Sequence, residues 1–151
     1  MRRQGRGCVR KITILIVCPP ALSQLIEYLF RDRPEFAVAG TLSGLRSMGQ
    51  QAEQLSPDLI VADVKPVTTA VCQAVATIKR SNPLSKLILI CAARDFMSGA
   101  RSCGADACLE QEELVRRLLG TAWALSERTT PTAYRTRRAW GYALHSDRAR
   151  N

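Results

Sequence analysis

Short apolar segments alternate with helix-like segments through the centre of this chain, and the alternation constrains its fold more than any other feature. The apolar runs have few polar interruptions, which is typical of strands buried on both faces of a parallel sheet. Strict alternation predicts an α/β fold: a three-layer, doubly wound, five-stranded parallel sheet with right-handed crossovers. The predicted strands are residues 12–17, 36–40, 57–63, 86–91 and 107–109, and the predicted helices are about 22–30, 43–55, 67–78, 96–103 and 112–126.

Asp63 is the most informative single residue, because it closes the third apolar run. The carboxyl ends of parallel strands form the edge at which open α/β sheets place their ligands. A carboxylate there is therefore a candidate functional group. The alternative is a structural role in which Asp63 accepts hydrogen bonds from loop amides.

The net charge of +9 is located entirely in the two ends of the chain. Residues 1–11 carry five basic residues and no acidic one, and residues 127–151 carry six arginines against two acids, whereas residues 12–126 balance to zero. We predict one domain at residues 11–126, flanked by basic, disordered tails at 1–10 and 127–151. In the second tail, arginines alternate with aromatic residues, so nucleic-acid contact is an alternative function. The candidate contact residues are Arg135, Arg137, Arg138 and Trp140.

Six cysteines occur without a Cys-x-x-Cys pair and with a single histidine, His145, so the spacing of a zinc site is absent. No apolar run approaches the ~18 residues that a membrane helix needs, and the N-terminus is a poor secretion signal. We therefore predict a cytoplasmic protein without membrane contact, whose thiols are reduced. Cys72 is then core filling, and Cys103 and Cys108, which could meet across a turn at Gly104, are predicted to stay unpaired.

The chain resembles the CheY-like receiver domain of bacterial two-component response regulators, most closely the subfamily whose receivers precede a helix-turn-helix output domain. The matching stretches are residues 12–17, 33–40, 57–63, 87–90 and 104–109, within roughly residues 11–126. The resemblance implies a flavodoxin-like fold with strand order 2-1-3-4-5. It also implies a signalling module rather than an enzyme, and its partner would be a histidine kinase, an output protein or a second copy in a homodimer.

In that family the position of Asp63 accepts a phosphoryl group, with Mg²⁺ held partly by two acids after the first strand. This chain has Cys18 and Pro19 in place of the acids, Cys91 in place of a hydroxyl residue, and Gln111 in place of a lysine. Asp63 is thus the only candidate Mg²⁺ ligand, and the sequence predicts no cofactor, with Mg²⁺ present only if Asp63 is phosphorylated.

These departures remove the groups that would neutralise a phosphoryl group. Phosphoryl transfer depends on such neutralisation, and losing several contacts worth roughly 1.5–3 kcal/mol each would slow it by orders of magnitude. We therefore predict a degenerate receiver, or pseudo-receiver, that acts through protein–protein interaction in transcription regulation, with Asp63 inactive as a phosphoryl acceptor.

A thiol-based redox module is a further alternative. In the implied strand order Cys18, Asp63 and Cys91 end three adjacent strands, which places the two thiols about 10 Å apart, beyond disulfide reach. The redox alternative predicts that Cys18 or Cys91 is unusually reactive, or that the thiols and Asp63 form a metal or redox site. The competing interpretation is that both cysteines are small residues filling vacated space.

Overall fold

The structure is a computed structural model that describes residues 10–92 and 102–127. Within these two stretches the chain forms five strands and four α-helices, with single turns of 3₁₀ helix at Leu45–Ser47 and Gln111–Glu113. The elements are β1 (Ile12–Val17), α1 (Pro20–Arg31), β2 (Phe36–Leu42), α2 (Met48–Leu55), β3 (Leu59–Asp63), α3 (Thr69–Ser81), β4 (Lys86–Cys91), β5 (Ala107–Glu110) and α4 (Leu114–Glu127).

Several predictions fall outside the described stretches. The predicted helix at 96–103 lies almost entirely there, as do Arg135, Arg137, Arg138 and Trp140. Nucleic-acid contact by the tail therefore stays a prediction, and so do the tail boundaries. None of the helices within residues 10–92 and 102–127 is long and apolar enough to cross a membrane.

The described strands form one sheet in the order β2-β1-β3-β4-β5, and every neighbouring pair is parallel. This confirms the predicted fold class and strand order. Alternate residues of β1 face opposite layers: Ile14 and Ile16 pack with α1 and α4, whereas Leu15 and Val17 pack with α2 and α3. All four are essentially inaccessible to solvent. Burying such a side chain contributes about 1.5–3 kcal/mol each, so both faces of the central strands stabilise the fold.

Helix α1 shows why the local sequence folds as predicted. Pro20 occupies its first turn, where a missing N–H costs nothing. Its inward face is formed by Leu22, Ile26 and Phe30, and Phe30 packs against Phe36 at the start of β2 with 4.9 Å between ring centroids. The helix therefore joins β1 to the edge strand β2 through a continuous apolar contact.

The predicted second helix is wrong at its start. Ser43 does not cap it, because the backbone of Gly44 is extended and a 3₁₀ turn intervenes before α2 begins at Met48. Gly44 has a low helix propensity, so the helix does not begin at residue 43 or 44. It begins at Met48, whose side chain is fully buried. Helix α2 ends at Leu55, and Ser56, the residue that follows, adopts a left-handed conformation with φ of 43°.

The other boundary differences are small. Strand β3 begins at Leu59 rather than at Pro57, and α4 begins at Leu114, after the 3₁₀ turn. Strand β2 extends to Leu42 because that residue pairs with Val17 of β1.

The prediction of unpaired thiols is wrong for four of the five cysteines that the structure describes. Cys72 is bonded to Cys103, with 4.7 Å between the Cα atoms, and Cys91 is bonded to Cys108, with 6.5 Å. Both Cα separations lie within the usual disulfide range. Cys72 is thus a bonded residue rather than core filling, and Cys103 and Cys108 do not pair with each other across Gly104.

The strand register explains one of these pairs. Cys108 lies opposite Leu89 in the parallel ladder, and Cys91 lies two residues further along β4, opposite Glu110. Residues two apart on a strand share a face, so Cys91 and Cys108 are diagonal neighbours on the same side of the sheet.

Asp58 ties together the amino-terminal ends of β1 and β3, at the end of the sheet opposite Asp63. Its carboxylate accepts hydrogen bonds from the N–H of Thr13 at 2.9 Å and from the Thr13 hydroxyl at 3.1 Å. It also pairs with Arg10 at 2.6 Å. Asp58 therefore has a structural role.

We expect Asp58→Ala to lower the free energy of unfolding by about 1–3 kcal/mol, because the N–H of Thr13 loses its acceptor. Asp58→Asn keeps a carbonyl oxygen and should lose less. Urea unfolding checks both, with Glu53→Ala on the exposed side of α2 as the control, expected within about 0.5 kcal/mol of the parent. Full stability of Asp58→Ala would contradict this role.

Candidate functional site

The candidate site lies at the carboxyl edge of the sheet, where the sequence places it. Val17 pairs with Ala62 and Asp63 pairs with Ile90, so Asp63 emerges between the ends of β1 and β4. The Asp63 side chain is largely buried, with 14% of its surface exposed. On either side of Asp63, Cys18 directly follows β1 and Cys91 is the last residue of β4.

Lys65 is the nearest charged partner of Asp63. Its Nζ lies 3.5 Å from Asp63 Oδ1, and the same ammonium donates a hydrogen bond to Gln111 Oε1. Asp63 Oδ1 is buried and accepts no hydrogen bond from the described residues, so the Lys65 charge is what offsets its burial. Lys65 thereby connects the end of β3 to the residue that follows β5.

The role of Lys65 was not predicted from the sequence. The signal that could have found it is local: a basic residue stands two positions after Asp63, next to Pro66. The Lys65–Pro66 peptide is cis. Gln111, which the sequence analysis identified as replacing a lysine, directly follows β5. Its side chain accepts a hydrogen bond from Lys65, which follows β3.

Cys18 carries a free thiol that is 2% exposed. Its Sγ lies 3.9 Å from the carbonyl oxygen of Val61, and its backbone carbonyl accepts a hydrogen bond from the buried Ser23 hydroxyl at 3.1 Å. Burial raises the pKa of Cys18 to about 12, an effect that outweighs the nearby N–H of Asp63. The negative charge of Asp63 raises this pKa further, and the Lys65 charge lowers it. The thiol is therefore neutral at ordinary pH, which argues against a reactive Cys18.

Cys91 and Pro19 do not supply groups to Asp63 either. Cys91 is bonded to Cys108 and packs in the core layer of α2 and α3, whereas Cys18 packs in the layer of α1 and α4. The two cysteines thus lie in opposite layers and do not form the hypothesised joint thiol site. Pro19 is exposed at the start of α1 and has no ligand atom in its side chain.

Magnesium does not fit the site as the described residues arrange it. Mg²⁺ is usually held by one or two carboxylates, together with phosphate and waters, in octahedral geometry. The Asp63 carboxylate faces an ammonium that would repel a divalent cation. No cluster of three or more His, Cys, Asp or Glu side chains that could hold a metal ion occurs in residues 10–92 and 102–127.

No family model matches the sequence, and no curated protein matches it significantly. Solved structures do match. The response regulator domain of CheB from Thermotoga maritima has a TM-score of 0.63 at 17% identity, over 78% of this chain and 98% of that one. A LuxR-family two-component response regulator from Aurantimonas has a TM-score of 0.67 at 17% identity, over 78% and 86% of the two chains.

A third structural match is the receiver domain of a sensor histidine kinase from Pseudomonas aeruginosa, whose structure holds magnesium in its active-site cleft. Its TM-score is 0.64 at 16% identity, over 78% of this chain and 99% of that chain. These likenesses confirm the predicted receiver fold. At such low identity they define the fold and leave the chemistry of the site to its own residues.

The neutral Cys18 thiol gives the fold a specific pH dependence. The pKa of Cys18 in the folded protein, about 12, lies above its ordinary value of 9.0, so the folded state keeps a proton that the unfolded state releases. The difference in pKa adds to the free energy of unfolding, and this stabilisation is complete below pH 9.0. It is lost as the pH rises towards 12, by about 1.4 kcal/mol per pH unit.

The test compares urea unfolding of the parent protein with that of Cys18→Ala at increasing pH. Other titrating groups are common to both proteins, so the difference between their stabilities isolates Cys18. We expect the advantage of the parent protein to shrink above pH 9.0. Parallel stability curves for the two proteins would contradict the raised pKa.

Proposed function

We propose that this chain is a receiver-like signalling module of bacterial two-component systems, a pseudo-receiver that binds a protein partner without phosphorylation of Asp63. The receiver fold of its structural neighbours supports the signalling class. The observation that carries the rest is the contact of Lys65 with Asp63 and Gln111, which places a cation inside the site.

The Lys65 contact supports the proposal that Asp63 does not take part in phosphoryl transfer. A phosphoryl acceptor needs an accessible oxygen and, around it, cations and donors that receive the transferred group. Here Asp63 Oδ1 is buried and faces Lys65, while the neighbouring Cys18 thiol is neutral and buried. Cys91 is occupied by its bond to Cys108. Asp63 Oδ1 is therefore buried against Lys65, and neither Cys18 nor Cys91 offers a hydroxyl donor to a transferred phosphoryl group.

Signalling without phosphorylation requires a surface that a partner can bind in one fixed state. By analogy with receiver outputs, that surface is formed among the described residues by β4, β5 and α4. Val115, in the first turn of α4, is 63% exposed and offers an apolar contact beside β5. The partner would be a histidine kinase, an output protein or a second copy, acting in the cytoplasm on transcription. The module itself catalyses no reaction.

Titration with beryllofluoride and millimolar Mg²⁺, which together mimic a phosphorylated carboxylate, tests this proposal on isotope-labelled full-length protein. We expect the amide resonances of Asp63 and of β4 and β5 to stay where they are, because Lys65 opposes metal entry. Asp63→Asn, which lacks the carboxylate, is the matched control and should give the same spectrum changes as the parent.

Saturable shifts that the parent shows and Asp63→Asn lacks would overturn the inactive-site proposal. They would show that Asp63 still accepts a phosphoryl mimic together with Mg²⁺, and that Lys65 yields its place to the metal.

A further inference from the structure

Four bonded cysteines lie on one side of the sheet, in the core layer that α2 and α3 cover. Cys91 and Cys103 are members of that layer, and Cys72 and Cys108 pack against it. One disulfide joins α3 to the turn before β5, and the other joins the end of β4 to β5. Together they fasten the β4–β5 edge of the sheet, where the proposed partner surface lies.

The turn that carries Cys103 is shaped for its contact with α3. Gly104, the next residue, has a φ of +91°, a conformation that L side chains rarely adopt. The position of a Cβ at Gly104 would lie 4.0 Å from Val75, one turn along α3 from Cys72. The backbone of this turn therefore lies against α3 and brings Cys103 to its partner.

Each disulfide combines a buried cysteine with a more accessible one. Cys91 and Cys103 are 1% and 6% exposed, whereas Cys72 and Cys108 have intermediate exposure. Thiol–disulfide exchange starts at a sulfur that a reagent can reach and finishes at a second thiol held nearby. Cys72 and Cys108 are therefore accessible enough to react first with a small thiol or disulfide. Cys103 and Cys91, which are buried beside them, would complete the exchange.

We propose that the two cysteine pairs form a reversible thiol–disulfide site, which reacts with low-molecular-weight thiols and disulfides and sets the rigidity of the β4–β5 edge. This inference rests on the proposed function in one respect, the reducing compartment. Disulfides that form there are usually transient and responsive to oxidants. The reduced and the doubly bonded protein are then two states of one partner surface.

The chemistry balances with a small disulfide as the oxidant. The thiolate of Cys108 attacks one sulfur of that disulfide, forms a mixed disulfide and releases one small thiolate. Cys91 gives its proton to solvent, attacks the Cys108 sulfur and releases the second thiolate. Two protein thiols thereby lose two electrons and two protons, and one small disulfide becomes two thiols. The pair of Cys72 and Cys103 reacts in the same way.

The test equilibrates the full-length protein in glutathione buffers from strongly reducing to strongly oxidising. Remaining thiols are then blocked by alkylation, and the pairs are mapped by mass spectrometry of peptides. We expect both pairs, Cys72 with Cys103 and Cys91 with Cys108, to form and disappear within the range that the buffers span. Cys18 should remain an unpaired thiol. Cys108→Ser should lose only the second pair, and Cys72→Ser only the first.

The structural consequence is measured by hydrogen exchange on the same samples. The amides of β5 should exchange at least about tenfold more slowly in the oxidised protein, because a closed loop restricts local opening. The amides of β2, at the opposite edge, serve as the internal control and should change little.

Three results would overturn the inference: pairs that persist in a large excess of reduced glutathione, pairs that fail to form in oxidised glutathione, or β5 exchange that does not depend on the redox state. Each of these leaves the proposed function standing. A response of Asp63 to beryllofluoride would overturn the proposed function and leave the thiol result intact.

Discussion

The ion pair between Asp63 and Lys65 is the interaction on which the rest of this site depends. A carboxylate that is largely buried at the end of a central strand needs a nearby positive charge or hydrogen-bond donors. The chain supplies that charge from the loop directly after β3, 3.5 Å from Asp63 Oδ1, and holds it from the other side with Gln111. Within the described part of the chain Lys65 thus balances the charge of Asp63, and this supports the proposal that no divalent cation enters the site.

At the same edge of the sheet, the neighbouring side chains of Cys18 and Cys91 have structural roles. Cys18 is buried in the layer of α1 and α4 with its thiol neutral, and Cys91 is bonded to Cys108 in the layer of α2 and α3. Cys18 contributes to the packing of its layer, and Cys91 to the covalent connection of the other. A receiver fold whose Asp63 is held by Lys65 can still present a surface to a protein partner. In our proposal the two disulfides set the rigidity of that surface independently of Asp63.

The sequence predicts the sheet well because each strand is indicated by the apolar residues of its own short segment. Each apolar run, such as residues 86–91, forms its strand from its own composition, and the alternation with helices dictates parallel pairing. The start of α2 was missed because burial of Met48 and the extended Gly44, rather than a capping serine, decide it. Lys65 and the disulfides were missed for a different reason. Their partners depend on how a loop folds back and on which residues meet across the sheet. The expectation of unpaired thiols came from the compartment and not from the fold.

A double-mutant cycle on Asp63 and Lys65 tests the central claim most directly. Urea unfolding of the parent, Asp63→Asn, Lys65→Met and the double variant gives the coupling free energy between the two side chains. The surface pair of Glu113, in the 3₁₀ turn before α4, and Arg117 of α4 lies 3.0 Å apart. This pair serves as the reference and should couple by no more than about 0.5 kcal/mol. If Lys65 is the counter-charge of Asp63, the coupling free energy between the two side chains should be about 1 kcal/mol or more. Additive effects of the two substitutions would contradict it.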